Sequence, residues 1–367
     1  MEEEFIVSAR KYRPITFDDV VGQIHVTGTL KNAIRMNKVA HAFLFCGPRG
    51  VGKTTCARIL AKTLNCMNLS EDLDPCNQCE SCTGFNENHS FNIHELDAAS
   101  NNGVENIRDL IDKVRVLPQI GKYSVYIVDE VHMLSTSAFN AFLKTLEEPP
   151  AHAIFILATT EKHKILPTIL SRCQVFDFNR ITIDDIASHL AKIALKEDID
   201  AEYPGLQIIA QKADGALRDA LSIFDRVVSY SGSKMTYQDV ITNLNVLDYD
   251  YYFKIADALH NEDFKSSLLI FNEILSHGFE GQYFLNGLSE HFRNLLLAHD
   301  SVTIDMLEVS DNIKERYVTQ AKQFTSSQLI EVLKITNDSD VKYRTSNNKR
   351  LLVELTLLQI ADLKKKN

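Results

Sequence analysis

No run of about 18 apolar residues occurs in the 367-residue chain, so no membrane-spanning helix is expected. The opening MEEEFIVSARKYRP is acidic and has nothing of a secretory leader, which points to a cytoplasmic protein whose thiols stay reduced. An excess of positive charge is missing too. With 39 Lys and Arg against 49 Asp and Glu the net charge is −10, which excludes a generally basic, nucleic-acid-coating surface but not a local positive patch. None of the eight prolines lies beyond Pro204, and there is no internal repeat or low-complexity tract. What remains is an ordinary globular composition, 45% hydrophobic and 24% charged, in a chain long enough for two or three separate cores.

Three textures divide it. Over 1–179, short apolar runs alternate with helical patterns; HAFLFCG, YSVYIVDE and AIFILATT each read as a buried strand followed by a turn. Strands alternating with helices imply an α/β fold, a parallel sheet covered on both faces. Residues 180–243 read as a small helical domain, with a helix start at Thr182 to Asp185 and a break at Asp214-Gly215. Residues 244–367 repeat apolar residues at three- and four-residue steps and read as all-helical. The closing Lys364–Lys366 run is expected to be a solvated helix end.

GPRGVGKT, Gly47 to Thr54, fits G-x-x-x-x-G-K-[ST] and lies between an expected strand and an expected helix. In that setting the glycines of the loop Gly47, Pro48, Arg49, Gly50, Val51 and Gly52 let backbone N–H groups wrap the β- and γ-phosphates. Lys53 adds a point charge, and Thr54, followed by Thr55, offers a hydroxyl to Mg²⁺. ATP and Mg²⁺ are the implied ligands. The strand VYIVDEVH then delivers Asp129 and Glu130 at its carboxyl end. Asp129 is suited to the Mg²⁺ shell and Glu130 to polarising an attacking water, with His132 in a supporting hydrogen bond. AIFILATT ends in Thr159 and Thr160, where a hydroxyl can bond that water, although threonine is common at strand ends anyway. ILSRC and GALRDA each bring an arginine, Arg172 and Arg218, whose planar forks suit phosphate oxygens; an isolated surface arginine more often forms an ion pair.

YRPITFDDVVGQ, HAFLFCGPRGVGKTT, DEVH, FNAFLKTLEEPP, TILSRC and GALRDA, in this order, resemble the clamp-loader group of AAA+ ATPases, and within it the gamma/tau family of bacterial DNA polymerase III. The resemblance is most specific over residues 10–225 and extends in length and character to the helical remainder. It implies an AAA+ module over 1–179, a lid over 180–243 and a helical collar over 244–367. It makes Thr160 the sensor-1 position, Arg172 an arginine finger serving a neighbouring subunit, and Arg218 the sensor-2 residue of its own site. Tyr12, Arg13 and Pro14, with Val20, Val21 and Gly22, would wrap the adenine.

Four of the seven cysteines, Cys66, Cys76, Cys79 and Cys82, follow a C-x9-C-x2-C-x2-C spacing that looks like the zinc module inserted in this family. Two C-x-x-C turns can bring sulfurs onto one tetrahedral ion at about 2.3 Å, and four thiolates leave no open position, so a structural Zn²⁺ is expected; free thiols or a redox pair are the alternatives. Cys46, Cys56 and Cys173 sit among apolar residues and read as core side chains. In DAASNNGVENIRDLIDKVR, Gly103 opens a helix whose first turn could hold a DNA phosphate. By position in the family and by chemistry Asn101, Asn102 and Arg108 are the candidates, against a plain helix cap on an exposed loop.

The implied protein is an ATP-driven motor subunit of the replicative clamp loader, acting in a hetero-oligomeric ring with delta- and delta-prime-type subunits to place the sliding clamp on primer-template DNA. Two rivals are a non-hydrolysing AAA+ scaffold subunit, which would lack a working P-loop, and a P-loop DNA helicase, which would carry further helicase motifs. No Pro-rich tail follows residue 367, so polymerase core and helicase are expected as partners only of a longer chain.

Overall fold

The computed structural model describes residues 6–363 apart from Asn88, Asn245, Glu308 and Ser310; the first five residues and the Lys364–Lys366 run lie outside them. The chain divides into two compact units, Met1–Asp200 with Ile209–Ser229, and Ala201–Ile208 with Tyr230–Asn367. No helix among the described residues is long and apolar enough to cross a membrane.

The first unit is built on a parallel sheet of β1 (Ala42–Cys46), β2 (Ile93–Asp97), β3 (Ser124–Asp129), β4 (Ala153–Thr159) and β5 (Gln174–Asp177), in the order β2-β3-β4-β1-β5. Residues in β1 and β4 are all buried, because helices cover both faces of the sheet. Within these runs the strand period still sorts the side chains. Phe43, Phe45, Ile154 and Ile156 pack with Cys56, Ala57 and Leu60 of the helix Lys53–Asn65. Leu44, Tyr126, Phe155 and Leu157 face the other way, onto Ile107 and Leu110 of the helix Val104–Val114 and Phe139 and Phe142 of the helix Thr136–Glu147. Each such buried aliphatic or aromatic side chain contributes about 1.5–3 kcal/mol. The three expected strands are β1, β3 and β4. The edge strands β2 and β5 are short and half polar, with only Ile93 and Phe176 fully buried.

Register places the site. Cys46 lies opposite Thr159, and Val128 opposite Leu157, so β3, β4 and β1 end side by side at their carboxyl ends. Ligands of open parallel sheets bind at such ends. Farther along, Thr182 caps the helix Ile183–Lys196 by accepting from the Asp185 N–H at 3.1 Å. Asp214 and Gly215 both take positive φ, 48° and 78°, and turn the chain into the helix Leu217–Ser231.

The second unit is helical, including Tyr249–His260, Phe264–Ser276, Gly281–Leu297, Asp311–Ala321, Ser326–Tyr343 and Lys349–Ala361. Local chemistry starts several of these helices. Asp248, Asp263 and Asn348 cap with their side chains, and Thr325 with Gln328 forms a reciprocal capping box. Phe253, Phe271, Phe284, Leu288, Phe292 and Leu357 fill the centre. Gly287 is required there, since a Cβ would overlap the Tyr252 hydroxyl lying across that helix.

Candidate nucleotide site and thiol cluster

The loop after β1 turns on three glycines with positive φ, Gly47 at 148°, Gly50 at 78° and Gly52 at 105°. A side chain at Gly47 would collide with the Phe178 carbonyl, so the loop hugs the end of β5. Gly52 starts the helix Lys53–Asn65 without a side-chain cap, leaving the first-turn N–H groups of that helix for an anion. Lys53 is 6% exposed, and its Nζ donates to the carbonyls of Gly47 at 2.8 Å and Pro48 at 2.7 Å. Burial lowers its pKa, while Glu130 and Asp129 pull it back up.

The acidic pair meets this loop from β3. Thr54 Oγ1 donates to Asp129 Oδ2 at 2.7 Å, joining the start of the helix to the strand end. Glu130 takes a left-handed conformation, φ 47° and ψ 44°, a strained place for a residue with a side chain. Its Oε2 accepts from Thr160 Oγ1 at 2.9 Å and from the Thr160 N–H at 3.3 Å. His132 stands beside it, with Nδ1 3.0 Å from Thr159 Oγ1 and 3.4 Å from Glu130 Oε2, and Nε2 3.1 Å from Glu161 Oε2.

Lys53, Thr54, Asp129 and Glu130 border a cavity of about 470 Å³. Tyr12, Arg13, Pro14, Val20 and Val21 line it from one side, Arg49 to Thr55 from another, and Asp129, Glu130 and Arg218 from the rest. Three expected residues act from behind the wall. Gly22 turns the chain at φ 72° against Ile181, Gly47 shapes the loop, and the carbonyl of Pro48 holds Lys53. Thr160 reaches the cavity only through Glu130. The backbone N–H of Arg218 approaches the Gly50 carbonyl at 3.4 Å, which sets the helix Leu217–Ser231 over the loop. Arg13 Nε reaches Thr55 Oγ1 at 3.4 Å; burial lowers its pKa, helped by the nearby Arg58 and Arg218. Tyr12 is anchored by donating to Glu197. Arg172 does not line the cavity. Its guanidinium pairs with Glu147 at 2.7 Å and donates to the Thr168 carbonyl at 2.7 Å. Val7, Arg10, Ile181, Leu217 and Leu221 also border the space and were not expected; Leu217 and Leu221 flank Arg218 at helical spacing, the one signal that could have found them.

The sulfurs of Cys66, Cys76, Cys79 and Cys82 lie within 4.8 Å of one another, and all are free thiols. A tetrahedral site with Zn–S of about 2.3 Å has sulfurs about 3.8 Å apart, so this donor set fits zinc. Backbone N–H groups already point at it. Cys76 N donates to Cys66 Sγ and Cys79 N to Cys76 Sγ, each at 3.3 Å. Bonds from the backbone of Gln78 and Cys79 bring the Cys76 thiol down to about 6. Cys46 and Cys56 are fully buried, and burial raises their thiols to about 11 and about 12. Cys173 is partly exposed against the same core, and burial raises it to about 12.

Asn101, Asn102 and Arg108 lie away from the cavity, around the uncapped start of the helix Val104–Val114. Asn101 turns its amide back onto the Asp97 carbonyl at 3.1 Å, while Asn102 and Arg108 are exposed. Glu105 occupies the first turn of that helix.

A family described as "DNA polymerase III, delta subunit" matches residues 22–182. One described as "DNA polymerase III clamp loader subunit, ATPase lid domain" matches 185–233, and one described as "DNA polymerase III subunits gamma and tau domain III" matches 236–366. The chain is 43% identical to DNA polymerase III subunit tau of Bacillus subtilis over 351 residues, 96% of this chain and 62% of that protein. It is 35% identical to DNA polymerase III subunit gamma of Buchnera aphidicola over 376 residues, 98% of each chain. Against DNA polymerase III subunit tau of Escherichia coli the identity is 38% over 356 residues, 96% of this chain and 55% of that one.

Proposed function

Since the chain belongs to the gamma/tau family of DNA polymerase III subunits, we propose that it is an ATP-driven motor subunit of a cytoplasmic replicative clamp loader. The observation that carries the reading is the convergence of Lys53, Thr54, Asp129, Glu130 and Arg218 on one cavity at the carboxyl end of the sheet. Residues 1–179 would form the AAA+ module, 180–243 the lid and 244–367 the collar of the ring.

The free N–H groups at Gly52–Thr54 and the Lys53 ammonium bind and orient the triphosphate, exchanging the Gly47 and Pro48 carbonyls for phosphate oxygens. Thr54 and Asp129 would hold Mg²⁺, which when bound neutralises phosphate charge. Glu130 polarises the attacking water, and Thr160 positions that carboxylate as well as the water. Tyr12, Arg13, Pro14, Val20 and Val21 surround the base, with Gly22 turning the chain behind them. Arg218 reads bound nucleotide from within the lid. Arg172, outside its own cavity and held by Glu147, the Thr168 carbonyl and the Ser171 hydroxyl, serves the next subunit's site. The four-cysteine cluster takes a structural Zn²⁺.

In a ring with delta- and delta-prime-type subunits, ATP binding sets a form that opens the sliding clamp and grips primer-template DNA, with Asn101, Asn102 and Arg108 at the DNA. Hydrolysis then releases the closed clamp.

The test separates binding from turnover. Lys53→Ala should abolish productive ATP binding, whereas Glu130→Gln should bind ATP normally and lose about 10²–10⁴-fold in clamp- and DNA-stimulated hydrolysis. Wild-type turnover by Glu130→Gln would remove Glu130 from its role. A wild-type chain that neither binds nor hydrolyses ATP inside a complete loader would favour the scaffold reading.

A further inference from the structure

From Cys66 to Glu87 the chain carries five acidic side chains, Glu71, Asp72, Asp74, Glu80 and Glu87, and not one lysine or arginine. Four thiolates around a divalent ion add a further excess of negative charge. Any cation close to the cluster must come from outside the segment. Lys31 and Arg58 both approach it, yet each faces a carboxylate. Lys31 pairs with Asp18 at 2.8 Å, and Arg58 with Glu95 at 2.6 Å while its fork lies over the Phe85 ring.

Lys62 is different. It sits on the helix Lys53–Asn65, is 5% exposed, and among the described residues pairs with no carboxylate. Its Nζ donates to Asn86 Oδ1 at 2.8 Å and to Asn77 Oδ1. Asn77 lies between Cys76 and Cys79, in the left-handed conformation at φ 56°. Asn86 ends the helix Glu80–Asn86, which carries Cys82. One ammonium therefore holds both the turn between Cys76 and Cys79 and the end of the helix that carries Cys82; burial lowers its pKa, while the charges of Cys82, Cys66 and Cys76 pull it back up. Two neutral amides hold it, so no carboxylate stands between its charge and the sulfurs. Burying an ammonium without a carboxylate is costly unless another anion faces it.

We propose that Lys62 is a positioning residue of the metal site, supplied by the P-loop helix, whose buried charge offsets the thiolate cluster and keeps the ion from leaving. The inference rests on the reading of Cys66, Cys76, Cys79 and Cys82 as a zinc site. It makes the inserted segment dependent on a cation that its own sequence does not contain.

The experiment uses the zinc-loaded full chain and follows metal transfer to a chromogenic chelator, with ATP affinity measured in parallel. Lys62→Gln keeps hydrogen-bonding capacity but removes the charge. Asn86→Asp leaves Lys62 in place and better held, but hands it a carboxylate. Both variants should retain zinc about 10–100-fold less well than wild type, with ATP affinity unchanged. A purely structural role for Lys62 predicts wild-type or tighter retention in Asn86→Asp, and that result overturns the proposal even if Lys62→Gln fails to fold. Wild-type retention by Lys62→Gln overturns it equally. If the wild-type chain takes up no zinc, the metal reading fails and this inference with it. If wild type holds zinc and the variants match it, only the inference fails.

Discussion

Acid should loosen the helical unit through one residue, His291. Its side chain is 1% exposed, with Nδ1 3.1 Å from the Tyr317 hydroxyl and Nε2 2.9 Å from Gln320 Oε1. Gln320 is itself fixed, donating to the Phe253 carbonyl at 2.9 Å and to Asp257 at 2.7 Å. Burial lowers the His291 pKa to about 4, with Arg316 nearby pushing the same way and Gln320 opposing. The unfolded chain takes up this proton near pH 6.5 and the folded chain only near 4. The folded state therefore loses stability as pH falls through that window, by about 1.4 kcal/mol per unit. Roughly 2 kcal/mol should be gone by pH 5 and about 3 kcal/mol once both states are protonated. His291→Gln can still bond to Tyr317 and Gln320 but cannot charge. It should be less stable at pH 7, because the ring edge packed on Phe253 is lost, and it should lack this part of the pH slope. Urea melts at pH 7, 6 and 5, read by hydrogen exchange in the helix Gly281–Leu297, measure both slopes. If wild type and variant lose the same stability between pH 7 and pH 5, the neutral buried imidazole is not the cause.

Arg172→Ala should keep nucleotide affinity at its own site yet slow hydrolysis at an adjacent wild-type site by about 10³–10⁵-fold. Mixed assemblies with Lys53→Ala subunits, scored for DNA-stimulated turnover, test this, and equal hydrolysis by a dilute monomer would contradict it. The purified chain should carry one zinc. Chelation or Cys79→Ser should expose residues 66–82 to proteolysis while ATP binding persists, and elemental analysis finding no metal would end the zinc reading.

What could be read in the sequence was what lies contiguous along it. β1, β3 and β4 announce themselves because burial on both faces demands unbroken apolar runs, and the phosphate loop because one backbone turn needs its glycines at fixed spacing. The edge strands β2 and β5 were not legible, since IHELD and QVFD alternate with polar residues and resemble loop. Ile181, Leu217 and Leu221 border the nucleotide cavity only because the chain returns there after the sheet. Lys62 was the least legible. A lysine in a helix reads as solvated, and only the folded knob above it makes it a buried cation.

Glu130 illustrates how a neighbouring strand finishes what one motif begins. Glu130 alone would have no reason to adopt φ 47°, a conformation costing on the order of 1–3 kcal/mol. Its Oε2 receives two bonds from Thr160, and hydrogen bonds to a charged group contribute about 1.5–3 kcal/mol each before discounting for partial exposure. Those bonds are large enough to offset the strain. Thr159, the last residue of β4, bonds to His132, and Thr160, the next residue, bonds to Glu130. His132 in turn bridges toward Glu161, one residue farther along. Asp129 is different, because Thr54 of the P-loop helix holds it directly. The two adjacent carboxylates thus answer to different elements, Asp129 to the helix Lys53–Asn65 and Glu130 to the residue that follows β4.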